Sequence, residues 1–554
     1  MSTTTLGGAI ADSDRGGFLS KERIIAGPGF NRWLVPPAAL AIHLCIGMAY
    51  GFSVFWLPLS KMLAAPALAC AKDMSIFAEI FATDCNWKIA SLAWLYSLFF
   101  LFLGLSAAIW GGWLERAGPR KAGVVSAFCW CGGLLISAYG VSSHQLWMIW
   151  LGSGFIGGIG LGLGYISPVS TLIKWFPDRR GMATGMAIMG FGGGAMIGSP
   201  LATELMKKFA TGSDGGVAMT FVAMAAIYFV FMIAGALSYR VPPSGWKPAG
   251  WTPPAAQASN AMITKGHVHV TKVWGIPQFW LIWMVLCMNV SAGIGVIGMA
   301  SPMLQEVFGG DLIGVSKKFG ELDKAQLVLM AGVGAGFAAL LSLFNIGGRF
   351  FWASLSDKFG RKLTYSIFFI LGTAMYWSMP SSASAGNKFL FVGAVCVILS
   401  MYGGGFATIP AYLADMFGTQ MVGAIHGRLL TAWATAGILG TVVVTYMREY
   451  QKSQGIPPDQ FYNQTMYVLG AMLVVGLICN LLVKPVDKKW FMTDAELTEE
   501  KRLAHDRAVA NEVGTGSGGG GTTSPALVAL AWAAVGIPLG WGVYRTLTVV
   551  AKFF

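Results

Sequence analysis

The chain has 554 residues, of which 55% are hydrophobic and only 11% charged, with a formal net charge of +13. Soluble domains carry about 25% charged residues, so this composition excludes a soluble enzyme, a disordered chain and a nucleic-acid module. In so apolar a chain, excess Lys and Arg marks loops held on the cytoplasmic side of a membrane, and 74 Gly with 21 Trp suits close-packed membrane helices with interfacial aromatics.

A polar N-terminal tail, 1–32, has no apolar core followed by a cleavage site, so no signal peptide is expected. Apolar stretches of about 20 residues then predict spanning helices. The first six lie at 33–60, 88–112, 121–141, 145–172, 181–205 and 217–238, making a bundle over 33–238. The segment 239–276 is dense in proline, which prevents a membrane helix and favours an extended cytoplasmic linker. Six more helices follow at 278–304, 327–354, 363–380, 388–414, 425–447 and 464–484, a second bundle over 277–484. Residues 485–524 read as a short cytoplasmic helix, opened by the capping pair Thr493 and Glu496, and a Gly/Ser/Thr tether. A thirteenth span at 526–550 closes the chain within a last segment, 525–554. Lys and Arg favour the N-terminal side by about two to one, which places the N-terminus in the cytoplasm and the C-terminus outside.

The two bundles repeat each other. Glu115 and Asp357 share one offset with Gly118 and Gly360, Pro168 and Pro410, Gly181 and Gly423, Gly185 and Gly427, and Gly198 and Gly440. The chain is therefore a duplicated six-helix unit, and such halves enclose a site near the bilayer midplane. Candidate ligands follow from the cost of burying polarity in a membrane. Arg349 stands in the apolar run LLSLFNIGGRFFWASLSD, with Asn345 one turn away on the same face. His43, Glu204, His426 and Arg428 are weaker candidates. His267 and His269 lack acidic or thiol neighbours, and Gly152-Ser-Gly154-Phe-Ile-Gly157 lies inside an apolar helix, so neither a metal, a nucleotide nor any other cofactor is expected. Cys70 and Cys85 share the outward loop between the first two helices, where a disulfide can persist.

The charge motifs Glu115-Arg116-Ala117-Gly118-Pro119-Arg120 and Asp357-Lys358-Phe359-Gly360-Arg361-Lys362 resemble the loop hallmark of the major facilitator superfamily. Departures are Pro119 in place of a basic residue, Glu115 for Asp and Ala353 for a second-half Gly. The resemblance implies an all-α fold of two pseudo-symmetric six-helix bundles, here with an extra C-terminal helix. It also implies that these charges bridge the halves on the cytoplasmic side. The strings 164–195, 278–306 and 401–418 are similar to the oxalate:formate antiporter family, which is related to the monocarboxylate transporters. The tail resembles one-helix small subunits of such transporters, and Ala533, Gly536 and Gly540 are its expected packing residues.

That likeness implies alternating-access transport of a small carboxylate by a monomer embedded in lipid, in a bacterial inner membrane. The family's exchanger pairs an arginine in the eighth helix with a lysine in the eleventh. The arginine corresponds to Arg349, while the lysine position falls on Trp433. One cation balances one negative charge, so a monocarboxylate such as formate or lactate is expected rather than oxalate, with Tyr50, Tyr165 and Tyr402 as candidate hydroxyl donors and His43 nearby. The alternative is that Trp433 faces lipid and Arg428 replaces the lysine. Related monocarboxylate transporters carry an acidic proton partner where this chain has Asn345, which cannot titrate. An oxalate:formate antiporter proper, an anion channel and a non-transporting sensor are the competing readings.

Overall fold

The computed structural model describes residues 18–63, 69–71, 73–178, 180–210, 215–243, 246–250, 262–264, 266–500, 502 and 523–551. The first bundle contains α1 (Arg32–Leu59), α2 (Ile89–Ala117), α3 (Pro119–Ser142), α4 (Leu146–Leu172), α5 (Arg180–Phe209) and α6 (Val217–Ser238). The second contains α7 (Pro277–Gly298, continued by Ala300–Phe308), α8 (Lys324–Phe359), α9 (Arg361–Ser384), α10 (Lys388–Phe417), α11 (Val422–Ser453) and α12 (Asn463–Leu482). A last helix, α13, runs Pro525–Val550. Helices occupy all thirteen expected places, and among the described residues eleven are long and apolar enough to cross a membrane by composition. The remaining two are α5, some of whose side chains lie outside the described residues, and α9, which carries Ser and Thr towards both ends.

The duplication is visible in the backbone. Gly118, between α2 and α3, has φ 85° and ψ 159°; Gly360, between α8 and α9, has φ 84° and ψ 153°. Only glycine adopts that conformation without strain, so the same residue makes the same sharp reversal in both halves. These two turns define one end of the molecule, called here the basic end. Cys70 and Cys85, joined in a disulfide, mark the other.

Proline punctuates the helices where the halves meet. Pro302 has no N–H for the Gly298 carbonyl four residues earlier, and α7 breaks there at Met299. The Trp56 indole of α1 donates to that carbonyl at 2.8 Å, tying the two halves together at the disulfide end. Ser301 N donating to Ser53 Oγ (3.4 Å), Trp94 Nε1 donating to Tyr446 (2.9 Å) and Lys61 over the Phe319 ring add to this closure. Elsewhere the halves meet along two seams, α2 against α11 and α5 against α8. The glycine series in α4 is a packing device: a side chain at Gly133 or Gly152 would run into the other's backbone.

The linker is stitched to both ends of the chain's bundles, with Val241 N donating to Ile24 O, Ala26 N donating to Val241 O and Val268 N donating to Phe417 O. Its two histidines have separate partners. His267 Nδ1 accepts from Gln420 N, and His269 faces Thr271 and Glu500. No cluster of three metal-ligating side chains occurs among the described residues. Thr493 and Glu496 exchange the reciprocal bonds of a capping box.

Candidate functional site

Arg349 lies on α8 roughly 16 Å along the axis from Gly360, close to the depth of a bilayer's centre. Its side chain is only 2% exposed. Asn345, one turn earlier, accepts from Arg349 Nε at 3.1 Å, which fixes the guanidinium plane and orients the Asn345 amide nitrogen away from it. The backbone of α5 can approach because residue 192 is glycine: a Cβ there would lie 3.1 Å from Arg349 Nε and 3.3 Å from Asn345 Oδ1. Ser342 donates to the Gly192 carbonyl, closing the same seam one turn further along.

Around this cation stands a box of aromatic rings contributed by both halves. Tyr50 of α1 and Tyr402 of α10 share a hydroxyl–hydroxyl bond of 2.7 Å. Phe406, one turn below Tyr402, lies 5.7 Å from the guanidinium carbon. Trp433 of α11 is 1% exposed and packs on Phe406 (4.5 Å), Tyr165 (5.1 Å), Phe100 (5.6 Å) and Phe191 (5.7 Å). It therefore faces the centre and not lipid. His43 sits one layer behind, its Nε2 3.1 Å from the Tyr165 carbonyl and its ring stacked on Tyr165.

Four donors in this cluster, Arg349 Nη1, Asn345 Nδ2, Tyr165 Oη and Trp433 Nε1, are buried without a hydrogen-bond acceptor among the described residues. Unpaired buried donors are costly, and a group that only accepts, such as a carboxylate with two oxygens, is what the cluster lacks. Phe191, Gly192, Ser342 and Phe406 belong to the site but carry no sequence signal: Gly, Phe and Ser in an apolar helix read as ordinary packing residues.

The charge motifs at the basic end behave differently from expectation. Arg120, 5% exposed, donates to the carbonyls of Phe18, Leu237 and Tyr239, all within or beside the first half. Arg361 pairs with Asp357 (2.6 Å) and Asp415 (3.5 Å) and reaches Ser356, joining α8, α9 and α10 of the second half. Lys358 is exposed. The described charges thus brace each half internally instead of bridging the two; the side chains of Glu115 and Arg116 lie outside the described residues. Arg428 donates to the Val270 carbonyl and lies over Trp274, at the basic end, away from the central cluster. His426 is half-buried at the same end.

A second buried charge group was hidden by its place at helix ends. Arg448, 3% exposed on α11, pairs with Glu306, 2% exposed on α7, and with Glu449, while the Tyr462 hydroxyl donates to Glu306 at 2.7 Å. Arg448 reads from sequence as an outward loop residue because α11 is expected to end at 447, whereas it continues to Ser453.

The thirteenth helix docks on α1, α5 and α8, but not through the expected residues. Space around Gly536 and Gly540 is open, and Ala533 is half-buried. The docking face is Trp532, Val535, Gly542, Thr546 and Val549, offset by three and four residues as a helix stripe requires. Helix runs unbroken through Pro538.

The Major Facilitator Superfamily pattern matches residues 40–441. The chain is 28% identical over 286 residues to the oxalate:formate antiporter of Oxalobacter formigenes, covering 51% of this chain and 59% of that one. It is 23% identical over 518 residues to apicoplast pyruvate carrier 1 of Toxoplasma gondii, covering 81% and 88%. Among solved structures, a D-xylose–proton symporter superposes with a TM-score of 0.55 at 14% identity, over 83% of this chain and 99% of that one.

Proposed function

From the premise that this chain belongs to the Major Facilitator Superfamily, a family of integral membrane transporters, we propose that it is a secondary transporter of a small monocarboxylate working by alternating access. The observation that carries this reading is the set of four buried donors without acceptors around Arg349. A carboxylate in the fork of an arginine takes two parallel charge-assisted hydrogen bonds, leaving about two lone pairs for donors drawn from Tyr165, Asn345 and Trp433. The apolar remainder of a formate- or lactate-sized acid is matched by Trp433, Phe406, Phe191 and Phe100.

Charge balance separates this substrate from oxalate. Arg349 is the one cation among the described residues of the cluster, and a second carboxylate there would stay uncompensated in a low-dielectric site at a cost of several kcal/mol. Two relatives, by their names, move oxalate with formate and pyruvate, which brackets the same chemical class. Because Asn345 does not titrate, exchange of anions, or a proton carried elsewhere, replaces proton symport through the Arg349 pair. The basic end faces the cytoplasm and the disulfide end the oxidising outside of a bacterial plasma membrane, which puts the C-terminus outside; one chain suffices for transport.

Counterflow into proteoliposomes tests this. Preloaded formate or lactate should drive uptake of its labelled counterpart, and oxalate should compete poorly. Oxalate uptake as strong as monocarboxylate uptake would overturn the charge argument. Flux without counterflow would identify a channel, and no flux under any gradient a sensor.

A further inference from the structure

The position of α13 has a consequence for the transport cycle. Along most of its length it is fastened to the first half. Its leading end meets the start of α1, where Thr523 N donates to Gly29 O (3.2 Å) and the Trp532 indole donates to Trp33 O (3.0 Å). Mid-helix, Val535 is buried against Leu40 and Ala41 of α1. Further on, Gly542 lets the backbones of α13 and α5 approach: a Cβ there would lie 3.0 Å from Ile197 Cγ1 and 3.1 Å from the Met196 carbonyl oxygen. Pro200 denies that carbonyl its ordinary helix donor, and a side chain at 542 would crowd it. Arg545 then pairs with Glu204 of α5 at 2.6 Å.

The last turn crosses to the other half. Thr546 is fully buried, and Val549 packs over Gly336 of α8 so closely that any side chain at 336 would run into it. Gly336 lies roughly 20 Å along α8 from Arg349, towards the disulfide end. So α13 travels on the first half, and its tip grips the second half beside the α5/α8 seam, on the side where Trp56 and Gly298 close the disulfide end. Opening that end separates α8 from α5. It must either pull Val549 off Gly336 or tear α13 from Glu204 and Met196. Nothing comparable ties α13 to the second half at the basic end among the described residues.

We propose that α13 is a latch for the disulfide end: a helix carried by the first half whose final turn holds the second, favouring the conformation in which that end is shut. Its consequence for transport rests on the alternating-access reading, but the latch itself does not.

Two full-length variants test it in lipid nanodiscs. Gly336→Leu wedges the tip off α8, and Val549→Ala removes most of the grip without adding bulk. The reporter is Ser301→Cys, buried in the disulfide-end closure, labelled by a hydrophilic maleimide against the background of the parent protein. Both variants should raise the labelling rate severalfold, Gly336→Leu the more. Unchanged labelling in both, with each variant monodisperse, would overturn the latch. If Gly336→Leu does not fold, Val549→Ala decides, because truncating a half-buried valine leaves the helix intact. Labelling needs no substrate, so a parent that fails in counterflow sinks the transport reading and leaves the latch standing.

Discussion

The two seams between the halves use corresponding residues and opposite chemistry. In the α2/α11 seam, α2 presents Phe100, Leu103 and Ala107; the positions repeated on α8 are Ser342, Asn345 and Arg349. Across the seams, Trp433 and Ala434 of α11 correspond to Phe191 and Gly192 of α5. On one side Gly437 receives the Phe100 ring and Ala434 meets Gly104; on the other Gly192 receives the Arg349 guanidinium and Ser342 bonds its carbonyl. Duplication thus supplies two equivalent grooves, and three substitutions along one face of α8 turn one of them into the proposed anion site. The apolar seam keeps the packing and loses nothing by being dry. A site with one charged wall and one aromatic wall fits a substrate with one charged end.

Removing the charged wall should have the largest effect. Arg349→Ala should abolish substrate binding, and Arg349→Lys should weaken it by about 100-fold, because the point charge survives but the planar fork does not, at a cost of about 3 kcal/mol. Substrate-dependent thermal stabilisation of the purified protein reads this directly. Lysine supporting near-normal affinity would show that charge alone, and not the arginine geometry, distinguishes the seams.

Asn345→Asp makes the polar seam titratable. A carboxylate one turn from Arg349 pairs with it when ionised and competes with the substrate, whereas the protonated acid does not. The neighbouring cation favours the ionised form of the introduced carboxyl, so binding should be strongest at low pH, where that carboxyl is protonated, and fall as pH rises and it ionises. Affinity should drop by about tenfold or more at neutral pH relative to the parent, and the parent should show no such pH step from this position. A variant with pH-independent affinity would separate residue 345 from the substrate.

Swapping small residues tests the correspondence itself. Gly192→Val pushes against Arg349 Nε and Asn345 Oδ1, both in fixed positions, and should weaken binding by roughly tenfold; overpacking of this kind costs about 1–3 kcal/mol. Ala434→Val crowds Gly104 in the other seam and should lower thermal stability by a comparable amount while leaving the affinity of the remaining folded protein unchanged. Equal losses of affinity in both would mean that the two seams act together.

How much of this could be read from sequence follows from the same contrast. Arg349 and Asn345 were legible because polarity in an apolar helix is improbable without a purpose, and the repeat was legible because Gly118 and Gly360 satisfy a backbone demand no other residue meets. Gly192, Phe191 and Phe406 were not, since their identities match any membrane core and only the fold brings them to the arginine. The docking face of α13 was misread for a related reason: Gly536 and Gly540 have packing spacing, but on a lone helix spacing does not reveal which stripe turns inward. Arg120 and Arg361 bond within their own halves because a helix-end arginine finds carbonyls and carboxylates of its own half nearer than those of the other.

The smallest expected effect lies at Trp433, where the aromatic wall contributes a single polar atom. Phenylalanine keeps the ring in contact with Phe406, Phe100, Phe191 and Tyr165 but removes the Nε1 donor, which is buried and without an acceptor among the described residues. If that donor serves the substrate carboxylate, Trp433→Phe should weaken binding by about fivefold, the worth of one hydrogen bond near 1 kcal/mol. Removing an unsatisfied buried donor should at the same time raise the thermal stability of the substrate-free protein. The two readouts must therefore move in opposite directions. If affinity and stability fell together, Trp433 would be only a packing residue, and the anion would be held by α8 and the tyrosines alone.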